Sequence, residues 1–190
     1  MSAGIIKARE WLEQEKEQGY GDPERAVLAT ATSQGVPHSR IVAIREISDE
    51  GFLFFTQRGT RKYAELSNPR ASMTFWFARE QREIIIDGVV RALSQEENQH
   101  YWDTLSRERQ LRFSVHTSGQ PIDSLQDLEH RYQQLSKQYV NQTIPMSDFY
   151  CGFVLVPETF CFYTLGTQTF SEVIRYQKVG EHWEKNLVSP

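Results

Sequence analysis

Gln57-Arg58-Gly59-Thr60-Arg61-Lys62 follows the apolar run Phe52-Leu53-Phe54-Phe55. The stretch reads as a buried strand, a tight glycine turn, and a helix that opens with a hydroxyl and two cations. Thr60 has the side chain of an N-cap for a helix beginning at Arg61. The first turn of any helix carries free N–H groups and the positive end of the dipole. Arg61 and Lys62 oppose that dipole, and a bound phosphate gives two adjacent cations a reason to be there. Such a phosphate gains N–H donors, the Thr60 hydroxyl and two full charges. The alternative for these six residues is a solvated basic turn beside a hairpin.

Outward from this stretch the chain alternates turns with short β patterns. Residues 26–32 and 38–45 read as strands joined by Ser33-Gln34-Gly35, and a third strand covers residues 51–56 after Asp49-Glu50-Gly51. The helix from Arg61 runs to about Ser67 and stops at Asn68-Pro69. Residues 71–77 alternate as a half-buried strand does, and 82–93 form the longest β pattern, with a bulge or bend expected at Asp87-Gly88. Ser94-Gln95-Glu96-Glu97 is a capping box for a helix through Trp102. Residues 107–113 suggest a second short helix, and Asp123 with Gln126 a cap for a third reaching Tyr139. Residues 153–156, 160–163 and 173–177 suggest three more strands. Before all of these, residues 5–18 show helical spacing, with Ile5, Ala8, Trp11 and Leu12 on one side. Seven to eight antiparallel strands with interspersed helices predict a β-rich α+β fold, a small barrel with peripheral helices.

Composition narrows the function. The chain has 190 residues, 39% hydrophobic and 24% charged, with a formal net charge of −4. That balance argues against a general binder of nucleic acid or anionic membranes. No apolar run approaches the ~18 residues of a membrane span, and the N-terminus does not read as a signal peptide. Cys151 and Cys161 sit in apolar, strand-like surroundings, as thiols in a reducing compartment do, and a cytoplasmic location is expected. The five histidines show no metal-ligand spacing, so no metal is expected. No residue is placed as a nucleophile for hydrolysis, which fits chemistry carried by a cofactor.

The order of several motifs resembles one family. Arg40-Ile41-Val42-Ala43-Ile44-Arg45, Gly51-Phe52-Leu53-Phe54-Phe55-Thr56, Gly59-Thr60-Arg61-Lys62 and Asn68-Pro69-Arg70 look like the core of the pyridoxamine 5'-phosphate oxidase family. Asp22-Pro23, Asp148-Phe149-Tyr150-Cys151-Gly152-Phe153 and the C-terminus ending in Pro190 extend the likeness over nearly the whole chain. The resemblance implies an FMN-binding split barrel, with residues 1–190 as one domain. Within it, 1–20 form a helical arm and 145–190 supply dimerisation and substrate-side strands. It implies a homodimer with FMN at the interface and a small-molecule substrate. Arg40 and Lys62 are implied to reach the FMN phosphate, with Thr60 and Arg61 beside it. Ile41, Val42, Phe55 and Thr56 are implied to line the flavin, and Arg45 to stand near the ring and substrate in a catalytic role.

The departures from the family pattern cluster on the substrate side. Arg45 stands where lysine is usual, Glu83 where glutamine contacts the flavin, and Tyr163 where a tryptophan lies near the ring. Tyr101 matches a substrate tyrosine, while Leu105 and Arg109 occupy the next two substrate positions. Thr169 and Ser171 replace an Arg-x-His pair, Val173 replaces a flavin-contacting arginine, and Ser118-Gly119 replaces a Gln-Ser pair that helps hold FMN. Arg107, Arg109 and Arg112 are candidates to supply a shifted phosphate anchor, and His116 lies near the implied flavin loop. The expected activity is an FMN-dependent oxidase resembling pyridoxamine or pyridoxine 5'-phosphate oxidase. The alternatives are an oxidase of another reduced heterocycle, such as a phenazine precursor, and a non-catalytic flavin-binding protein.

Overall fold

The apolar run at 52–55 is unbroken because both faces of its strand are covered. In the computed structural model, which describes residues 2–19, 22–115, 119, 121–166 and 169–190, Phe52 and Phe54 point into one core and Leu53 and Phe55 pack on the opposite side. The elements are α1 (Ala3–Glu17), β1 (Arg25–Ala31), β2 (Pro37–Ile47), β3 (Phe52–Gln57), α2 (Arg61–Glu65), β4 (Arg70–Phe77) and β5 (Arg82–Ala92). They continue as α3 (Gln95–Asp103), α4 (Arg107–Val115), α5 (Leu125–Gln138), β6 (Tyr150–Thr164), β7 (Glu172–Val179) and β8 (His182–Val188).

All strand pairs are antiparallel, in the order β3-β2-β1-β4-β5-β6, and a further β3–β6 pairing closes these six into a barrel. Strands β7 and β8 extend the sheet from β6. This is the expected split barrel. Its interior holds Leu28, Ile44, Phe52, Phe54, Met73, Phe75, Ile84, Ile86, Leu155 and Phe160, each at most 2% exposed. Fully burying one such side chain is worth about 1.5–3 kcal/mol. Helix α1 plugs one side of it through Ile5, Ala8, Trp11 and Leu12, with Trp11 edge-on to Phe162 at 5.2 Å.

Several local readings are met and three are corrected. Thr60 caps α2 by accepting from the Tyr63 N–H, and Ser94 with Glu97 forms the capping box of α3. A register shift falls at Asp87/Gly88, as the bend there predicted. The two strands expected at 153–156 and 160–163 are one strand, β6. Pro157 does not break it because it lies at this bulge opposite Gly88, where a missing N–H costs little. The third outer helix is capped by Ser124 rather than Asp123. A final strand, β8, was not foreseen, since its mostly exposed residues show no clear alternation.

Helices α3, α4 and α5 build a second, aromatic cluster outside the barrel. Trp102, Leu111, Ile144 and Tyr150 form it, with Phe55 and Phe113 packed against it. The Trp102 indole donates to the Ile144 carbonyl at 3.0 Å. Buried Asn98 ties α3 to the barrel by accepting from the Gly152 N–H at 2.7 Å and donating to Leu93 and Ser94 carbonyls. This cluster sets α4 beside β2 and β3. Among the described residues no helix is long and apolar enough to cross a membrane, and no group of His, Cys, Asp and Glu is arranged to hold a metal.

Candidate functional site

Strand alternation sorts β2 into two faces. Val42 and Ile44 are buried on the barrel side, whereas Ile41, Ala43 and Arg45 face outward. A register shift between Ile44 and Glu46 disrupts the ladder at Arg45. The outward face forms one wall of a groove of about 480 Å³. Ile41, Val42, Ala43 and Arg45 line it from β2, Phe55, Thr56 and Gln57 from β3, Lys62 from α2, and Arg109, Arg112 and Phe113 from α4. The lining contains four cations and no carboxylate. The cations come from β2, α2 and α4, and the rest of the lining is apolar apart from Thr56 and Gln57.

Helix α4 is fixed over this groove by its C-terminal end. The Phe113 carbonyl accepts from the Gln57 amide at 3.2 Å and from the Ser147 hydroxyl at 3.0 Å. Arg107 donates to the Tyr139 carbonyl at 2.6 Å and the Gln142 carbonyl at 3.1 Å. Its guanidinium therefore braces the end of α5, which removes Arg107 as a substrate anchor. Arg109 and Arg112 remain in the groove.

The cations there are held at electrostatic cost. Burial pushes the Lys62 ammonium below the usual lysine range, and the neighbouring Arg40 charge pushes it further. Burial lowers Arg45 in the same way, and Arg109 adds repulsion. Arg61, by contrast, is exposed and lies outside the groove lining. Thr60 and Thr56 are buried beneath, their hydroxyls 3.3 Å apart, with Thr60 also donating to the Gln57 carbonyl.

Arg40 is engaged in a buried ion pair. Its guanidinium donates to Glu65 at 2.9 Å, to the Thr30 hydroxyl at 2.6 Å and to the Leu28 carbonyl at 3.2 Å. Glu65 also accepts from Thr30 at 2.5 Å and lies 2.6 Å from the His38 ring. Burial pushes the Glu65 carboxyl up, but the hydrogen bonds from Thr30 and Arg40 and the charges of His38 and Arg40 outweigh it. The carboxyl stays below its ordinary range. Glu65 thereby fastens α2 to β1 and β2 and holds Arg40 close to Lys62. Sequence reading missed Glu65, Thr30 and His38 in this role, and the one local signal for them was a carboxylate three residues after Lys62.

Phe55 connects the groove to the aromatic cluster. Its ring stacks on Tyr150 at 4.9 Å and 10°, and meets the edge of Tyr101 at 5.4 Å. A Cβ on Gly152 would lie 2.5 Å from the Phe55 ring, so the glycine of the 148–153 motif is needed for close approach. The Tyr101 hydroxyl donates to Glu46 at 2.8 Å. Burial, then that hydrogen bond, pushes its pKa up to about 12. Tyr101 thus borders the groove without lining it.

The remaining candidates lie elsewhere. Glu83 pairs with Trp76 on one side and Tyr163 on the other, and Tyr163 pairs with Val173. Thr169 is exposed, and the Ser171 hydroxyl accepts from the Gly166 N–H at 3.2 Å in the connection between β6 and β7. None of these lines the groove of the same chain. Ser118 and His116 fall outside the described residues.

Comparison with known proteins adds the following. The sequence profile described as pyridoxamine 5'-phosphate oxidase matches residues 12–143. The chain is 34% identical over 184 residues to a pyridoxine/pyridoxamine 5'-phosphate oxidase of Alteromonas mediterranea, covering 95% of this chain and 86% of that protein. It is 30% identical to the protein of the same name from a Nostoc species, covering 98% and 88%. Among solved structures, PhzG of Burkholderia lata in complex with tetrahydrophenazine-1-carboxylic acid superposes with a TM-score of 0.92 at 26% identity, covering 100% and 94%. A pyridoxamine 5'-phosphate oxidase-related, FMN-binding protein of Nostoc punctiforme matches the fold with a TM-score of 0.81 at 16% identity, covering 100% and 98%.

Proposed function

The chain belongs to the pyridoxamine 5'-phosphate oxidase family, and from that premise we propose that it is an FMN-dependent oxidase of a small reduced heterocycle. The observation that carries this reading is the groove itself. It sets half-buried Lys62 near Arg40 and in one lining with Ile41, Val42, Phe55 and Thr56. FMN fits these residues. Its phosphate would offset the burial, and then the Arg40 repulsion, that lower the Lys62 pKa, and its flat ring suits the apolar side chains of the lining. Held there, FMN would supply hydride-acceptor chemistry toward a substrate C–H, with oxygen as the oxidant that restores it and hydrogen peroxide as the by-product. The protein's own part is placement and charge. Lys62 and Arg40 would hold the phosphate, with Thr60 and exposed Arg61 nearby contributing less, and Arg45 would bring positive charge to the ring and the substrate.

We also propose a homodimer. The outer face of β1, β2 and β4 exposes Val27 at 41%, Ile41 at 65% and Trp76 at 54%, with Val27 directly opposite Ile41. Glu83, Tyr163, Thr169 and Ser171 sit away from the groove of their own chain, and a second copy is the simple way to bring them to it. In this reading residues 1–190 act as one FMN-binding unit.

For the substrate, the names of the relatives support pyridoxine or pyridoxamine 5'-phosphate. A second reading, a larger carboxylated reduced heterocycle, is favoured by Leu105 beside the groove and by short, uncharged Thr169 and Ser171. The test is to titrate the purified protein with FMN and then follow oxygen uptake with pyridoxine 5'-phosphate and with a dihydrophenazine carboxylate. Sedimentation with and without FMN checks the dimer. Failure to take up FMN refutes the cofactor, uptake without turnover of either substrate favours a binding role, and a flavin-loaded monomer refutes the shared site.

A further inference from the structure

His38, Arg40 and Val42 form a row on the barrel side of β2, because side chains two apart share one face of a strand. Arg40 stands in the middle. Val42 on one side of it lines the groove, and His38 on the other meets Glu65. The hydrogen bonds of Arg40 decide which part of its guanidinium is used. Nη1 donates to the Thr30 hydroxyl at 2.6 Å and the Leu28 carbonyl at 3.2 Å, and Nη2 donates to Glu65 Oε2 at 2.9 Å. The Thr30 hydroxyl in turn donates to that same Oε2 at 2.5 Å. Nη1, the Thr30 oxygen, Oε2 and Nη2 thus close a ring, which puts both acceptors at the end of the fork. The side of the fork, Nε–H with the second Nη2–H, takes no partner among the described residues. Two parallel N–H groups of this kind are what a phosphate accepts from. The Arg40 side chain is 21% exposed, and its charge adds to burial in lowering the Lys62 pKa, so the two cations are neighbours.

The second oxygen of Glu65 decides whether that side stays open. Oε1 lies 2.6 Å from His38 Nδ1, and neither of these buried atoms has another polar partner among the described residues. Two lone pairs so close would repel, so a proton lies between them. It sits on Nδ1, because the Glu65 carboxyl stays below its ordinary range. Without His38, Oε1 would be a buried charged acceptor lacking a donor, which is costly. The nearest unused donors are those at the side of the Arg40 fork.

We infer that His38 is a positioning residue for the flavin phosphate: by holding Glu65 Oε1 it limits that carboxylate to one contact with Arg40 and keeps the side of the Arg40 fork for the phosphate. This rests on the reading of the groove as the FMN site. His38 acts through Glu65 and Arg40 without touching the flavin.

The test compares His38→Ala and His38→Asn with the wild type. FMN and riboflavin, which lacks the phosphate, are each titrated into the FMN-free proteins by quenching of flavin fluorescence. The ratio of the two affinities separates an effect on the phosphate from a general loss of structure. Asparagine carries an amide N–H close to the place of Nδ1, so it can still donate to Glu65. His38→Ala is expected to weaken FMN binding about tenfold and to leave riboflavin binding unchanged. His38→Asn is expected to bring FMN affinity back to within about twofold of wild type. If His38→Ala does not fold, His38→Leu, closer in bulk to the imidazole, takes its place. Unchanged FMN affinity in His38→Ala, equal weakening of FMN and riboflavin, or no recovery in His38→Asn overturns the inference while the flavin reading stands. Failure of the wild type to bind FMN refutes the flavin reading and the inference with it.

Discussion

Replacing Lys62 with alanine separates a ligand-binding cation from a structural one. Lys62 lines the groove, is partly buried and has its pKa depressed first by desolvation and then by Arg40. If it meets the FMN phosphate, the change removes one charge-assisted contact, about 1.5–3 kcal/mol. That is roughly a ten- to 150-fold rise in Kd. Stability without FMN should move the other way. A lysine whose folded pKa lies below its unfolded value of ~10.4 disfavours the folded state at every pH below that folded value. Taking the ammonium away removes this penalty, so the alanine variant should unfold no earlier than the wild type near neutral pH. The assay is FMN titration by quenching of flavin fluorescence, paired with thermal unfolding of the FMN-free protein. Arg61→Ala serves as the internal comparison, since Arg61 is exposed and outside the groove lining. Its effect on Kd should be clearly smaller. A Kd for Lys62→Ala within about twofold of wild type, or an apo protein that loses stability, would show that the phosphate site is placed wrongly.

Three further outcomes are expected. Glu65→Gln should lower stability near neutral pH by about 1–3 kcal/mol, because Arg40 and His38 lose their buried partner. The wild-type carboxyl, depressed in the folded state, adds stability above its unfolded pKa of ~4.3 that is lost as pH falls through the folded value. The variant should therefore show a flatter acid limb, and identical acid limbs in urea unfolding would count against the ion pair. Gly152→Ala should cost about 1–3 kcal/mol by overpacking, since the new methyl meets the Phe55 ring at 2.5 Å, and it should also weaken FMN binding. Normal FMN affinity in that variant would detach Phe55 from the flavin wall. Thr169→Arg combined with Ser171→His should raise pyridoxine 5'-phosphate oxidation above the wild type, which is expected to be slow. Wild-type turnover already within ~1–1000 per second would remove the argument from that pair.

How far the sequence alone could be read follows the range of the interactions. Thr60 as a cap, the Ser94–Glu97 capping box, the bulge at Asp87-Gly88 and the strand over residues 38–45 depend on neighbours within a few residues, and all were legible. The same holds for the helical face of Ile5, Ala8, Trp11 and Leu12. Pro157 misled the reading of β6 because its effect depends on the partner strand, where Gly88 supplies a bulge. That Arg40 pairs with Glu65 on α2, with Thr30 35 residues away from Glu65 in the chain, was not legible.

The sequence by itself determined most of the strands, the caps of α2 and α3 and the barrel class, because local backbone preferences and hydrophobic period encode them. Only the tertiary structure decided which cations share a space. Closure of β3 onto β6 brings Tyr150 under Phe55, and the Gln57–Phe113 hydrogen bond, spanning 56 residues, lays α4 and its arginines across β2. It also committed Arg107 to the end of α5 and set Glu83 and Tyr163 apart from the groove. Side chains that meet through such contacts carry no shared mark in the chain. Their desolvation and mutual repulsion exist only once the barrel has closed.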